Sequence, residues 1–243
     1  MSKLQTSISN ASCRTWKCDG AWVSSFDEPA NGLTRIFPKV LGEVYVDQMI
    51  RVAHNSFGMT LNEENEDGAR QHILDTEKLV ICYIEDKIIG FASAKIAKID
   101  KKEVFFIHGI AMLPKYQRNG YANSMLAAIL SMSKDRKVAF TTQSPVAYCT
   151  IASQLKWVAP NEKQQMVLPV YRKLGMQLAS WRSSKSSSIF NTGTFVIRDL
   201  YDECLYRRIP SSTSQEVNEW FSKRLKIERG ITKNGLLFVG ERK

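Results

Sequence analysis

The sequence predicts a mixed α/β (α+β) fold, a mostly antiparallel central sheet flanked by helices. Apolar residues recur at helical spacing in residues 40–57 and again in residues 120–132. Between them the period changes. Residues 79–84, 88–99 and 104–113 are β-type runs joined by the polar turns Asp86-Lys87 and Asp100-Lys101-Lys102, which reads as an antiparallel meander. Strand, helix and strand then follow within about 40 residues, the pattern of a crossover between parallel neighbours.

Taken in order, residues 1–30 contain Ser and Asn with little periodicity and are expected to form an N-terminal arm or irregular lead-in. Residues 33–37 suggest a first strand, stopped by Pro38. In the helix that follows, Leu41, Val44, Tyr45, Met49, Val52, Ala53 and Phe57 share the apolar spacing. Asn62 is placed to cap a second helix, with Glu63, Glu64 and Glu66 in its first turn, where carboxylates suit the dipole. After the meander, Ala122, Met125, Leu126, Ile129 and Leu130 line one face of a third helix, and residues 138–142 form a short strand. Pro145 suits the first position of a helix running to about Lys156. Residues 161–175 are helical in part, with Pro169 interrupting them, and the Ser-rich 182–188 reads as a loop. Residues 194–200 form a strand. Thr213 with Glu216 matches a capping box opening a helix with Val217, Trp220, Phe221 and Leu225 on one face, and residues 236–239 close the chain as a strand.

The chain has 243 residues, 44% hydrophobic and 24% charged, a balance that supports a core. Neither of its most apolar stretches, residues 79–84 and 104–113, approaches the roughly 18 apolar residues of a membrane span. Residues 1–20 are polar, without the apolar run of a secretory signal. The cysteines, Cys13, Cys18, Cys82, Cys149 and Cys204, are irregularly spaced with no C-x-x-C, which argues against a disulfide framework and for a reducing cytoplasm. His54, His72 and His108 are not at metal-ligand spacing, so no metal is expected. The net charge of +10 implies attraction to anions: a nucleotide cofactor, an acidic substrate or nucleic acid. Its basic residues are spread along the chain, so solubility alone also accounts for them.

The stretch that carries chemistry is Gln117-Arg118-Asn119-Gly120-Tyr121-Ala122. It lies between a strand ended by Pro114 and an amphipathic helix. A tight turn there presents backbone N–H groups at a helix N-terminus, and the small Gly120 and Ala122 let an anion approach the backbone. With Arg118 adjacent, this is a site for a pyrophosphate.

This hexapeptide resembles the acyl-CoA signature Q/R-x-x-G-x-G/A of the GNAT acetyltransferases, with Ala122 in the permissive last position. The preceding meander, the following helix and the strand beyond stand in that family's order. The resemblance covers about residues 40–156, and Tyr171-Arg172-Lys173-Leu174-Gly175-Met176 resembles the Y-x-K-L-G-F that closes the family's next helix. It implies a GNAT core within residues 31–243, with an enlarged C-terminal region over about 157–243. It implies acetyl-CoA or another acyl-CoA as co-substrate, and a small-molecule or protein amine as acceptor. The C-terminal addition is expected to build part of the acceptor pocket or a homodimer contact.

The resemblance also implies roles. The strand of residues 104–113 would splay from that of 138–142, and the pantetheine arm would pair with backbone near Ala111 and Met112. Gly109 is either a bulge there or an ordinary strand glycine. The pyrophosphate would sit on the turn of Gln117, Arg118, Asn119 and Gly120 and on the first helical residues Tyr121, Ala122 and Asn123. The amide of Met112 would stabilise the oxyanion of acyl transfer. The family commonly has Asn after the next strand, where this chain has Ser144, and a tyrosine seven or eight residues later, where it has Ile151 or Ala152. Tyr148, Tyr171 and no tyrosine at all are therefore the alternatives for the acid that protonates the thiolate. His108, at even spacing from Met112, is the candidate base; a hydrogen-bonded core histidine is the other reading. Glu103 reads as a solvated turn residue and Cys149 as a helical thiol. Gly230 to Gly235 starts like a P-loop but lacks its Lys-Ser/Thr. Two further readings remain open: an acyl-CoA-binding module without catalysis, and an acyltransferase directed to RNA.

Overall fold

A computed structural model describes residues 13–18, 21–28, 31–36, 42–59, 63–84, 87–134, 136–163, 167–183 and 189–243. The chain divides into two compact units. The first comprises Met1–Ser56, Leu61–Ala94 and Gly109–Met132, and the second Phe57–Thr60, Lys95–His108 and Ser133–Lys243. Strands β5 (Lys87–Ile99) and β6 (Lys102–Met112) run through both.

In the first unit, β1 (Cys13–Cys18), β2 (Ala21–Glu28) and β3 (Asn31–Ile36) precede β4 (Lys78–Ile84), and the strand order is β1-β2-β3-β4-β5-β6. β3 pairs β4 antiparallel, with Leu33 opposite Cys82, and β4 pairs β5 antiparallel, with Leu79 opposite Ser93. Residues 13–28 are therefore not an irregular arm: they form a hairpin that adds two strands beyond β3. The stretch is rich in β-formers such as Trp16, Trp22, Val23 and Phe26, although it shows no clean alternation. Phe37, Pro38 and Asn62, assigned above as strand end, stop and cap, lie outside the described residues.

Helix α1 (Glu43–Phe57) buries Met49, Val52 and Ala53 of the face expected from spacing, and with them Val46 and Ile50, which that face did not include, whereas Val44 and Tyr45 are exposed. Helix α2 (Glu63–Leu74) is tied to α1 by one guanidinium. Arg70 donates to Asp47 at 2.6 Å and to Glu43, with Glu66 of its own helix at 3.5 Å. Helix α3 (Tyr121–Leu130) packs on β3 and β4 through Met125, Leu126, Ile129 and Leu130, as its period requires.

In the second unit, β6 meets β7 (Lys137–Thr142) in parallel through Phe105–Val138, Phe106–Ala139 and Ile107–Phe140. The last strand, β11 (Gly235–Arg242), pairs β7 antiparallel along one edge, with Phe238 opposite Phe140. Its other edge takes β8 (Leu155–Ala159) and β10 (Val196–Arg198), and β9 (Ile189–Asn191) follows β10. β8 lies where the sequence suggests the tail of a helix, because α4 (Pro145–Ala152) stops early and the chain turns back to β11. Pro169 opens helix α5 (Pro169–Arg182) instead of interrupting one, since the first helical position needs no N–H. Helix α6 (Gln215–Leu225) is capped by Ser214, whose side chain accepts from Val217 N at 3.3 Å, one residue after the Thr213 expected. Phe106, Leu178, Phe195, Leu237 and Val239 head the apolar cluster of this unit, against which Trp157, Tyr171 and Trp181 pack.

Candidate acyl-CoA and acceptor sites

The turn after β6 is built by backbone conformation. Pro114–Tyr116 form a short 3-10 turn, Arg118 has φ of 65° and Gly120 φ of 85°. Gly120 is the N-cap of α3, and no side chain caps that helix. The first amides of the helix, on Tyr121, Ala122 and Asn123, have no intrahelical partner by geometry. A Cβ on Gly120 would meet nothing within 4 Å. Open space therefore stands in front of a positive helix end, with Gln117, Arg118, Asn119 and Asn123 exposed around it. The residues present fit a pyrophosphate.

Gln117 has a more definite task. Its side-chain amide donates to the carbonyl of Met112 at 3.0 Å and so ties the turn to the end of β6. Leu113 donates its N–H to Ile89 of β5 at 2.8 Å. Neighbouring strand residues present their backbones to opposite edges, so Met112 faces away from β5 and Ala111 faces toward it. The Ala111 carbonyl indeed lies 2.9 Å from the position of a Cβ on Gly90 of β5. The backbone of Ala111 is thus turned toward β5 and that of Met112 toward the other edge, and Ala111 contributes a buried methyl. The Met112 amide donates to Ser56 Oγ at 3.3 Å. Gly109 makes room for side chains, since a Cβ there would lie 3.0 Å from His72 Nε2 and 3.2 Å from Ser93 Oγ.

In the second unit, His108 is half-buried, one residue beyond the last β6–β7 pair. Ser144 is buried and caps α4: its Oγ accepts from Ala147 N at 3.2 Å, and its own N–H donates to Thr142 Oγ1 at 2.9 Å. Its side chain is engaged in helix capping. Tyr148 is buried. Its ring lies against Phe238 and Phe221 at centroid distances of 4.8 and 5.5 Å, and its hydroxyl donates to Glu162 at 2.8 Å. Burial, with the Glu162 carboxylate as the second cause, pushes the phenol well above the ordinary tyrosine range. Its hydroxyl is thus engaged by Glu162 inside the fold. Tyr171 is half-buried in the first turn of α5, its ring 4.6 Å from that of Trp157.

Gln143 is a functional-looking residue that sequence reasoning missed. It is wholly buried just after β7. Its Nε2 donates to the carbonyls of Thr232 and Asn234 at 2.6 and 3.1 Å, and its Oε1 accepts from Leu205 N at 3.0 Å. One amide thus holds two loops of the C-terminal region. Beside them opens a cavity of about 420 Å³, lined among others by Met59, Glu203, Tyr206, Arg207, Ile231 and Lys233. Only a buried glutamine between a strand and a helix cap hints at this clamp in the sequence.

Residues 46–148 match the model of the Acetyltransferase (GNAT) family. Members of that family are acyl-CoA-dependent acetyltransferases. Solved structures similar to the chain include an acetyltransferase of the GNAT family from Desulfovibrio desulfuricans, at 17% identity over 53% of this chain and 88% of that one, TM-score 0.42. An acetyltransferase from Thermus thermophilus is 17% identical over 51% and 85%, TM-score 0.40. An aminoglycoside N-acetyltransferase in complex with CoA is 17% identical over 43% and 71%, TM-score 0.33. No curated protein matches the chain. Among the described residues, no group of three or more His, Cys, Asp or Glu is placed to hold a metal ion, and no helix is long and apolar enough to cross a membrane.

Proposed function

We propose that the protein is an N-acetyltransferase that moves an acyl group from acetyl-CoA to a primary amine by direct attack. The observation that carries this reading is the turn from Gln117 to Ala122: an uncapped helix N-terminus, opened by a left-handed glycine with free space before it, inside a family-matched segment. The amides of Tyr121, Ala122 and Asn123 would hold the pyrophosphate, with Arg118 adding charge. The Met112 N–H, on the edge of β6 away from β5, suits the thioester oxygen.

In the transfer, the amine nitrogen bonds to the thioester carbon, the C–S bond breaks with its electrons on sulfur, and the ammonium proton goes to a base. His108 suits that base, since imidazole titrates near neutrality. With Tyr148 bound to Glu162, Tyr171 is the remaining tyrosine to protonate the thiolate. Taken by itself, the cavity of the second unit has a lining that suits a small amine: apolar walls from Met59 and Ile231 bear the carboxylate of Glu203 and the cations of Arg207 and Lys233. The free thiols of Cys82, Cys149 and Cys204 accord with a reducing cytoplasm.

Calorimetric titration with acetyl-CoA and with CoA tests the reading. Micromolar binding is expected for the native protein and none for Gly120→Glu, which sets bulk and negative charge into the anion site. Any side chain at this left-handed position costs about 1–2 kcal/mol. Gly120→Ala shares that strain without the charge and should still bind. A folded native protein that binds neither ligand would overturn the assignment.

A further inference from the structure

A hydroxyl stands beside the backbone at the end of β6. Because Leu113 is bonded to β5, Met112 turns both its N–H and its C=O to the other edge. The carbonyl is fixed by Gln117 and the amide by Ser56. Ser56 sits in the last turn of α1, a helix anchored by the buried Met49, Ile50, Val52 and Ala53, so its reach to β6 is set by core packing. A serine hydroxyl accepts and donates. Here its oxygen receives the Met112 N–H, the bond that a thioester oxygen would receive at the same place.

We propose that Ser56 is a catalytic residue, the second donor of the oxyanion site. When the acyl group enters, the hydroxyl gives up the Met112 amide, rotates about χ1 and donates its own proton to the thioester oxygen. That oxygen gathers charge while the new C–N bond forms and the C–S bond breaks, and two donors hold that charge better than one. The inference rests on the acyl-CoA reading above. The opposite view, that Ser56 only covers a backbone amide, predicts the reverse sign, since removing a cover should help the acyl group to bind.

Infrared difference spectroscopy of carbonyl-13C acetyl-CoA bound to the full chain separates these cases. The native protein and Ser56→Thr should hold the thioester band at lower frequency than Ser56→Ala, while CoA itself binds all three alike. With an acceptor amine in hand, Ser56→Ala should lower kcat on the order of 10²-fold, with the affinity for CoA unchanged. Identical bands in native protein and Ser56→Ala, or tighter acetyl-CoA binding by Ser56→Ala, would overturn the role of Ser56 and leave the acyltransferase reading standing. Failure of the folded native protein to bind CoA would instead overturn that reading, and this role with it.

Discussion

Tyr148 shows how far residue spacing goes. It stands one helical turn after Ser144, in a segment where a tyrosine acid is wanted, and its burial favours a structural role. A phenol packed against Phe221 and Phe238 and bonded to Glu162 stabilises the fold by keeping its proton. Tyr148→Phe should therefore lower stability by about 1 kcal/mol, the usual worth of one hydrogen bond, read as a shift of the urea midpoint. Turnover per folded molecule should stay within about twofold of native, a free-energy change well below 1 kcal/mol. Ser144 teaches the same lesson, because a hydroxyl that caps α4 has its acceptor engaged along the backbone. Gln117 goes the other way: its place in the motif was legible, and its contact with the Met112 carbonyl gives that place a physical cause.

At the scale of elements, residue pattern located β4 to β7, α1 and α3 within a few residues, since each strand is a continuous apolar run buried on both faces and each helix has an apolar face. The irregular C-terminal third was harder. Pro169 starts a helix where the sequence suggests a breaker, and β8 begins where the sequence suggests the end of a helix, because a short run like Leu155–Ala159 has no period of its own. The cap of α6 offers a test. Ser214, not Thr213, accepts from the helix, and Asn218 reaches back to accept from Ser212 N at 2.8 Å. Ser214→Ala should cost about 1 kcal/mol, and Thr213→Ala less than about 0.5 kcal/mol. Equal losses in thermal or urea unfolding would restore the capping box.

For the molecule as a whole, the buried titratable groups set an alkaline limit. Burial raises Tyr148, Tyr201 and Tyr206, and it pushes the Cys82 thiol up to about 12. Each group holds its proton more tightly folded than unfolded. The stability this gives is complete below the unfolded values, about 8.5 for the thiol and about 10 for the phenols. It is lost as pH rises beyond them toward the folded values. Urea midpoints should be flat near neutrality, decline from about pH 9 and fall faster above about pH 10. A midpoint unchanged at pH 11 would contradict the burial of these groups.

By itself the sequence determined the class of fold and the turn from Gln117 to Ala122. Both are written in short-range codes: the period of apolar residues, and the preference of glycine for a left-handed turn. Tertiary structure alone decided which side chains meet. Tyr148 finds Glu162 across 14 residues, Met112 finds Ser56 across 56, and Gln143 finds Thr232 across 89. Such contacts follow from how buried faces pack, and no local pattern carries them; that is why the anion site was legible and the hydroxyl of Ser56 beside the Met112 amide was not.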